Sequence, residues 1–581
     1  MFRSTDSQAT FGSLNVDSLV RTQNRLRKRP WRYRQRGRFR RKRGFYERIN
    51  VLLSPEKIAR LEKNHWAGGF RGKALPVLLA NEEMFRPLFC EDNGRPNKPV
   101  AATLGVLILK EMFDLTDEAA LDNFEFNNAW QYALDVDPDD AHVCQKTLHN
   151  FRVKMSAAEE QGILTYSALF DEIVRAIIKD QGLKVGKQRL DSTHIRSNMA
   201  VLTRLGLFTH TITAFVKKLR KQHPRLFEAL PKGIHERYID REGYFADSPS
   251  SDGRRRLAQC AADVWRLVDR FHGHRRVKGM PSYLRLKRLL EEQCVIEDDD
   301  PTDPDGDGPE GVPVRPKNPK VEKIPPTSLQ GSDDDATYGH KGKGYQAQVA
   351  ETCDPENEIE VVTHVSVEGA HQSDQHATTV VLDDLESKGC KPDTLLADTN
   401  YGRGQNIVDA AERGVDLVSP SCGPKPEADE DEFILDDFTF SPDGQRIEHC
   451  PMGPEPVEQG TCGKDRRYAR MDAKRCGRCS WPGRCPARRS DRATTAILTW
   501  SPAAGATSAR RHRERTKEFK DGYRLRSGIE ATNSEYKRPY GGGDLRVRGS
   551  PAVIRTVKFK FMALNIRRWT RPARKTRNQA A

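Results

Sequence analysis

Apolar positions between Tyr46 and about Asp180 recur at helical spacing. Val100, Leu104, Leu107, Ile108 and Met112 form a core-facing stripe that begins just after Pro99. Thr116 and Asp117 predict the cap of a second helix through Leu121 and Phe124, and Thr147 opens a third containing Leu148 and Phe151. Short helices joined by brief turns fit a helix-turn-helix unit or a plain helical bundle.

The texture changes at Leu183, where L-K-V-G-K-Q-R-L predicts a short strand that delivers Asp191 at its carboxyl end, within R-L-D-S-T-H-I. A second helical stretch follows, Val201 to Leu230 and again Arg255 to Cys294, with Trp265, Leu267, Val268 and Phe271 as its apolar contacts; it interrupts the strand pattern as an insertion. Glu297 to Gly311 is acidic and rich in proline and glycine, the composition of a linker. Its Asp303, Asp305, Asp307 and Gly308 open like a calcium loop, but Val314 stands where the loop's closing glutamate is required. Strand texture resumes at Gly344 to Thr352 and Ile359 to Val367, which read as a hairpin. A helix from about Ser373 to Lys388, a strand ending at Asp398, a helix around Ile407 to Glu412 and a strand after Gly414 complete the alternation.

Pro420 to about Glu514 breaks that alternation and gathers Cys450, Cys462, Cys476, Cys479 and Cys485. Cys476 and Cys479 have the spacing of a zinc knuckle, and Cys450 and Cys485 complete a candidate tetrahedral thiolate site, with Cys462 spare. Two helical segments remain, Thr516 to Lys537 and about Pro551 to Trp569. In the latter Val553, Val557, Phe561, Leu564 and Ile566 make a stripe, and Arg567, Arg568, Arg571, Arg574 and Lys575 make a basic exit.

Composition adds a partner to this outline. The chain has 581 residues, 36% hydrophobic and 31% charged, enough for several folding units. It has no apolar run long enough to span a bilayer and no signal-like segment near Met1, so a cytoplasmic, nucleoid-associated protein is expected. A formal charge of +15 and a pI near 9.2 point to a polyanion. The densest basic run, Arg21 to Arg43, interleaves Trp31, Tyr33 and Phe39. With too few apolar residues for a core, it predicts a disordered arm that orders on a phosphate backbone.

Tyr523, Arg526, Glu530 and Lys537 supply the candidate chemistry. On one continuous helix they share a face. One carboxylate between two cations and a phenol suits a metal ion beside a phosphodiester; an exposed Arg526–Glu530 surface pair is the plainer reading of the same spacing. Lys341, Gly342, Lys343 and Gly344 lack the spacing of a phosphate-binding loop, so nucleotide hydrolysis is not indicated.

The order of these parts resembles the ribonuclease-H-like core of DDE transposases. Tyr523, Arg526, Glu530 and Lys537 match the tyrosine-arginine-glutamate-lysine signature of one branch of bacterial insertion-sequence transposases. R-L-D-S-T around Asp191, D-D-D-A with G-K-G-Y-Q from Asp333, L-A-D-T-N-Y-G around Asp398 and T-L-H-N-F-R at Thr147 look similar too. The resemblance implies an α/β fold: a ribonuclease-H-like mixed-sheet core with a helical N-terminal domain, a helical insertion and a cysteine-rich insertion. The expected division is a basic arm (1–45), a helical and DNA-binding candidate domain (46–180), core (181–200), helical insertion (201–296), linker (297–330), core (331–420), cysteine-rich insertion (421–514) and a final core segment with a basic tail (515–581).

It further implies Asp191, Asp398 and Glu530 as ligands of two magnesium or manganese ions, Tyr523, Arg526 and Lys537 as DNA contacts, and His194 as a structural or DNA-contacting residue. The implied reaction is metal-dependent cleavage at transposon ends and strand transfer by in-line phosphoryl transfer, by a homodimer on double-stranded DNA with no nucleotide cofactor. A DNA-binding derivative without catalysis, and a nuclease that cleaves without joining, are the alternatives.

Overall fold

The computed structural model describes residues 54–89, 97–200, 202–240, 250–297, 312–423, 432–463, 465–479, 485–489 and 495–571. The basic arm, the acidic run from 298 to 311, and Arg574 and Lys575 of the basic exit fall outside them.

Helices α1 (Val100–Met112), α2 (Asp117–Phe126), α3 (Gln145–Glu160) and α4 (Tyr166–Gln181) build the N-terminal region. The Thr116 hydroxyl caps α2 by accepting from the Ala119 N–H. α3 starts ahead of Thr147, at a cap formed by Cys144. α1 is buried on every side, polar residues included. The predicted one-sided stripe understates this: Lys110 and Glu111 lie off it, yet they pair at 2.8 Å and Glu111 meets Lys560 at 2.7 Å. Burial alone would raise the Glu111 pKa, but the two lysines bring it down to about 2.

The main sheet contains β1 (Lys187–Ile195), β2 (Gly342–Thr352), β3 (Val362–Gly369), β4 (Thr394–Ala397) and β5 (Asp416–Val418) in the order β3-β2-β1-β4-β5. The β3–β2 and β2–β1 pairs are antiparallel, and β1–β4 and β4–β5 are parallel. A short strand, Thr337–Gly339, turns through His340 and Lys341 to pair with the start of β2. Asp191 lies mid-strand rather than at a strand end as the sequence suggests. The antiparallel ladder with β2 continues from Asp191↔Val349 to Ile195↔Tyr345, while the parallel ladder with β4 stops at Leu190↔Ala397.

Between β1 and β2, α5 (Arg204–Gln222), α6 (Ser250–Phe271) and α7 (Pro281–Gln293) pack around their own apolar core. Val312, Val314 and Leu329, within the expected linker, join that core, and Val314–Pro316 pairs with Cys294–Ile296.

Alternation along the strands gives the sheet two buried faces. Leu190, Ala350, Leu395 and Leu417 pack under α8 (Ala377–Ser387) and α9 (Gly404–Glu412). Ile195, Tyr345, Ala347 and Val349 face the N-terminal helices.

After β5, an antiparallel sheet orders β6 (Glu458–Thr461), β7 (Arg467–Asp472), β8 (Arg488–Arg489) and β9 (Thr495–Trp500) as β6-β7-β9-β8 around Ala469, Met471, Leu498 and Trp500. The chain returns through α10 (Pro502–Arg513) to α11 (Gly528–Lys537) and α12 (Ser550–Thr570). α12 lies between the N-terminal helices and the sheet and is buried all round, so its predicted stripe is only part of its contact surface. Arg568 does not join a basic exit: it is half-buried and bonds Glu351, Thr532 and Glu535.

Candidate active site

Tyr523 and Glu530 do not lie on one continuous helix. A helix ends at Tyr523, a tight 3-10 turn spans Arg524–Ser527, and α11 begins at Gly528. Arg189 explains the break. Its Nη1 donates to the Leu525 carbonyl at 2.8 Å, and a Cβ at Gly528 would lie 2.0 Å from the same nitrogen. The guanidinium therefore docks against the turn where only glycine allows so close an approach.

The turn sets Arg526 between two carboxylates. Nη2 lies 3.3 Å from Asp191 Oδ1 and Nη1 lies 3.2 Å from Glu530 Oε1. From the next turn of α11, Asn533 Nδ2 donates to Asp191 Oδ2 at 3.1 Å. Asp398 follows Ala397, the register partner of Leu190, so Asp191 and Asp398 are next in line on adjoining strands. The Asp398 carboxylate accepts from the Asn400 N–H, capping the turn Thr399–Tyr401, and its carbonyl accepts from Ser419.

Burial raises the Asp191 pKa and the Asp398 charge adds to that, against Arg526, the Ser192 N–H and Lys341. Tyr523 stacks on Phe519 with ring centroids 5.7 Å apart, and burial together with the charges of Asp398 and Asp191 raises its phenol pKa. Burial, then Lys341, lowers the Lys537 pKa, with Asp191 opposing. His194 is held below its usual range by burial and by Lys537 and Lys341, and its Nε2 has no partner.

The fold therefore brings the sequence-predicted residues into one neighbourhood. Glu530 is the outlying member, its side chain 66% exposed and joined to Asp191 through Arg526. Among the described residues no three His, Cys, Asp or Glu side chains already stand in a metal-holding arrangement. The donor chemistry still suits a hard divalent cation: the ligand types are carboxylates alone, and Asp191 bears a burial cost that a cation would relieve.

Sequence reasoning assigned no role to Asn533, although it lies three residues beyond Glu530 on the same helix. It also missed the support behind α11. The buried Glu351 carboxylate accepts from Arg189 Nε at 2.8 Å, Thr532 Oγ1 at 2.7 Å and Arg568 Nη1 at 3.1 Å, and Arg568 Nη2 reaches Glu535 at 3.0 Å. Two strands, α11 and α12 thus meet at one carboxylate.

In the cysteine-rich segment, Cys450, Cys476 and Cys485 pack against one core. Burial pushes the Cys476 and Cys485 thiols up, and the neighbouring thiols, Cys450 and Cys479 among them, push them further; Cys462 is exposed. No helix among the described residues is long and apolar enough to cross a membrane.

Two family profiles match the chain. Residues 72–154 match "Transposase domain (DUF772)" and residues 449–570 match "Transposase DDE domain". The second match contains Glu530 and the four clustered cysteines; Asp191 and Asp398 lie between the two matches. No curated protein and no solved structure gives a significant match. One matched segment in the N-terminal helices and another across the Glu530 helix together support a transposase of the DDE, insertion-sequence type.

Proposed function

We propose that the chain cleaves DNA at transposon ends and joins the freed ends to target DNA by in-line phosphoryl transfer, with Asp191, Asp398 and Glu530 as its catalytic carboxylates. The observation that carries this reading is the convergence of Asp191 and Asp398 on adjoining parallel strands, with Arg526 tying Asp191 to Glu530. The strand order and directions support a ribonuclease-H-like core, divided by the helical and cysteine-rich insertions at the boundaries given above. The spacing of Tyr523, Arg526, Glu530 and Lys537 supports the branch named for those residues.

The three carboxylates would hold two magnesium or manganese ions, whose contribution is to activate water or a 3'-hydroxyl and to neutralise the leaving oxygen. The chain's own groups do the rest. Asn533 fixes the Asp191 carboxylate by a hydrogen bond. Arg526 offers its guanidinium to a phosphate oxygen, Lys537 adds a second positive charge, and Tyr523 forms a wall beside Asp398. Double-stranded DNA is the partner, taken by a homodimer that holds two ends. The clustered thiols of Cys450, Cys476, Cys479 and Cys485 would hold a structural zinc ion outside this chemistry.

Asp191→Ala tests the assignment. On a plasmid carrying the element and its flanks, with magnesium present, strand cleavage should fall by about a thousandfold or more. Cleavage at the wild-type rate in the variant would remove Asp191 from the site.

A further inference from the structure

We propose that Lys341, at the tip of the hairpin between Thr337–Gly339 and β2, grips a phosphodiester oxygen of the bound DNA strand and forms with Lys537 a two-sided clamp beside Asp191. The inference rests on the transposase reading and deepens it, because it adds a DNA-contacting residue from an element outside the Glu530 helix.

The hairpin fixes where this lysine reaches. Thr337 pairs with Gly344 and Gly339 with Gly342, leaving His340 and Lys341 as the turn. Gly344 has φ +137°, and a Cβ there would lie 2.3 Å from the Ile195 carbonyl, so the hairpin sits flush against the end of β1. From that tip Lys341 Nζ donates to Ser192 Oγ at 3.3 Å and lies 3.5 Å from the Ser192 carbonyl, one residue from Asp191. Lys537 reaches the same neighbourhood from the far end of α11, the element that carries Glu530.

Charge gives the arrangement its meaning. Arg526 already spans two carboxylates. Neither Lys341 nor Lys537 makes an ion pair among the described residues, and each lies within range of the other's field and of Asp191. His194 packs beneath the tip, about 3.9 Å from where a Gly342 Cβ would stand, and both lysines disfavour its charged form. Two partly solvated cations held beside a cleavage centre repel until an anion lies between them, and on a nucleic acid that anion is a backbone phosphate.

Lys341→Gln and Lys341→Arg are compared with wild type for cleavage of the element-bearing plasmid. The same proteins are titrated with a labelled duplex spanning one element end, at several salt concentrations. Lys341→Gln should lower cleavage about ten- to a hundredfold, and the slope of log affinity against log salt should become shallower by about one phosphate contact. Lys341→Arg should restore both. An unchanged slope overturns the proposal whether or not cleavage falls, since a hairpin with a merely structural role would leave phosphate contacts intact. Absence of cleavage by the wild-type protein would count against the transposase chemistry, and the salt slope would still decide whether Lys341 meets a phosphate.

Discussion

Glu360 stands at the edge of the charge network behind α11, with Oε2 3.7 Å from Arg189 Nη2 and no hydrogen-bond partner. Burial raises its pKa to about 7 and Glu351 reinforces the shift, against Arg189 and Arg568. A carboxyl whose folded pKa is raised contributes stability fully below its unfolded value near 4.5, and that contribution is lost as pH rises through about 7. Glu360→Gln keeps the neutral form at every pH, so its melting temperature should gain on wild type as pH rises from about 5 to about 8. A constant difference across that range would show that Glu360 does not titrate there. At this scale the spacing of Tyr523, Arg526, Glu530 and Lys537 was legible, because those residues lie close together along the chain. Arg189, Glu351 and Arg568 were not, because residues brought together from distant strands and a distant helix leave no local pattern.

At the scale of elements, the strands and helices from Gly344 to Val418 follow the alternation read from the sequence, since each is short and bounded by turn residues. The break before α11 was not legible: Tyr523 to Lys537 reads as one helix because Arg189, the group that takes the Leu525 carbonyl, lies far away in sequence. Gly528 is the residue on which that break depends. Its neighbour Arg189 is held by Glu351 and the Leu525 carbonyl, so it has little freedom to withdraw from an added side chain. Gly528→Val should destabilise the protein by about 1–3 kcal/mol and reduce cleavage beyond what the lost stability explains, because the same turn sets Arg526. Chemical denaturation paired with cleavage assays at a temperature where both proteins are folded measures the two effects; unaltered stability would mean that the turn yields at no cost. α1 and α12 show the opposite failure. Their apolar stripes left out Lys110, Glu111 and Lys560, which are neutralised against one another inside the core.

Across the whole molecule, the cysteine-rich segment is separable from the chemistry proposed at Asp191. Its sheet has its own core, and its thiols gather away from the main sheet's two faces. If they hold zinc, protein purified without chelator should carry about one zinc per chain, and a chelator should lower the melting temperature. Folded protein without zinc would retire the site. The spacing of Cys476 and Cys479 was legible, while the positions of Cys450 and Cys485 depended on the surrounding sheet.

The long sequence intervals separating Asp191, Asp398 and Glu530 have a consequence for how the protein is made. A ribosome releases Asp191 early and Glu530 late, and α12, which fills the centre of the N-terminal core, emerges later still. Until then the first helices expose the apolar surface that α12 will cover, and Asp191 has neither Arg526 nor Asn533 beside it. A nascent or prematurely terminated chain is therefore a client for chaperones and proteases, with its carboxylates incomplete. Synthesis order thus works as a safety catch on the proposed reaction: its three carboxylates meet only after Glu530 has been made.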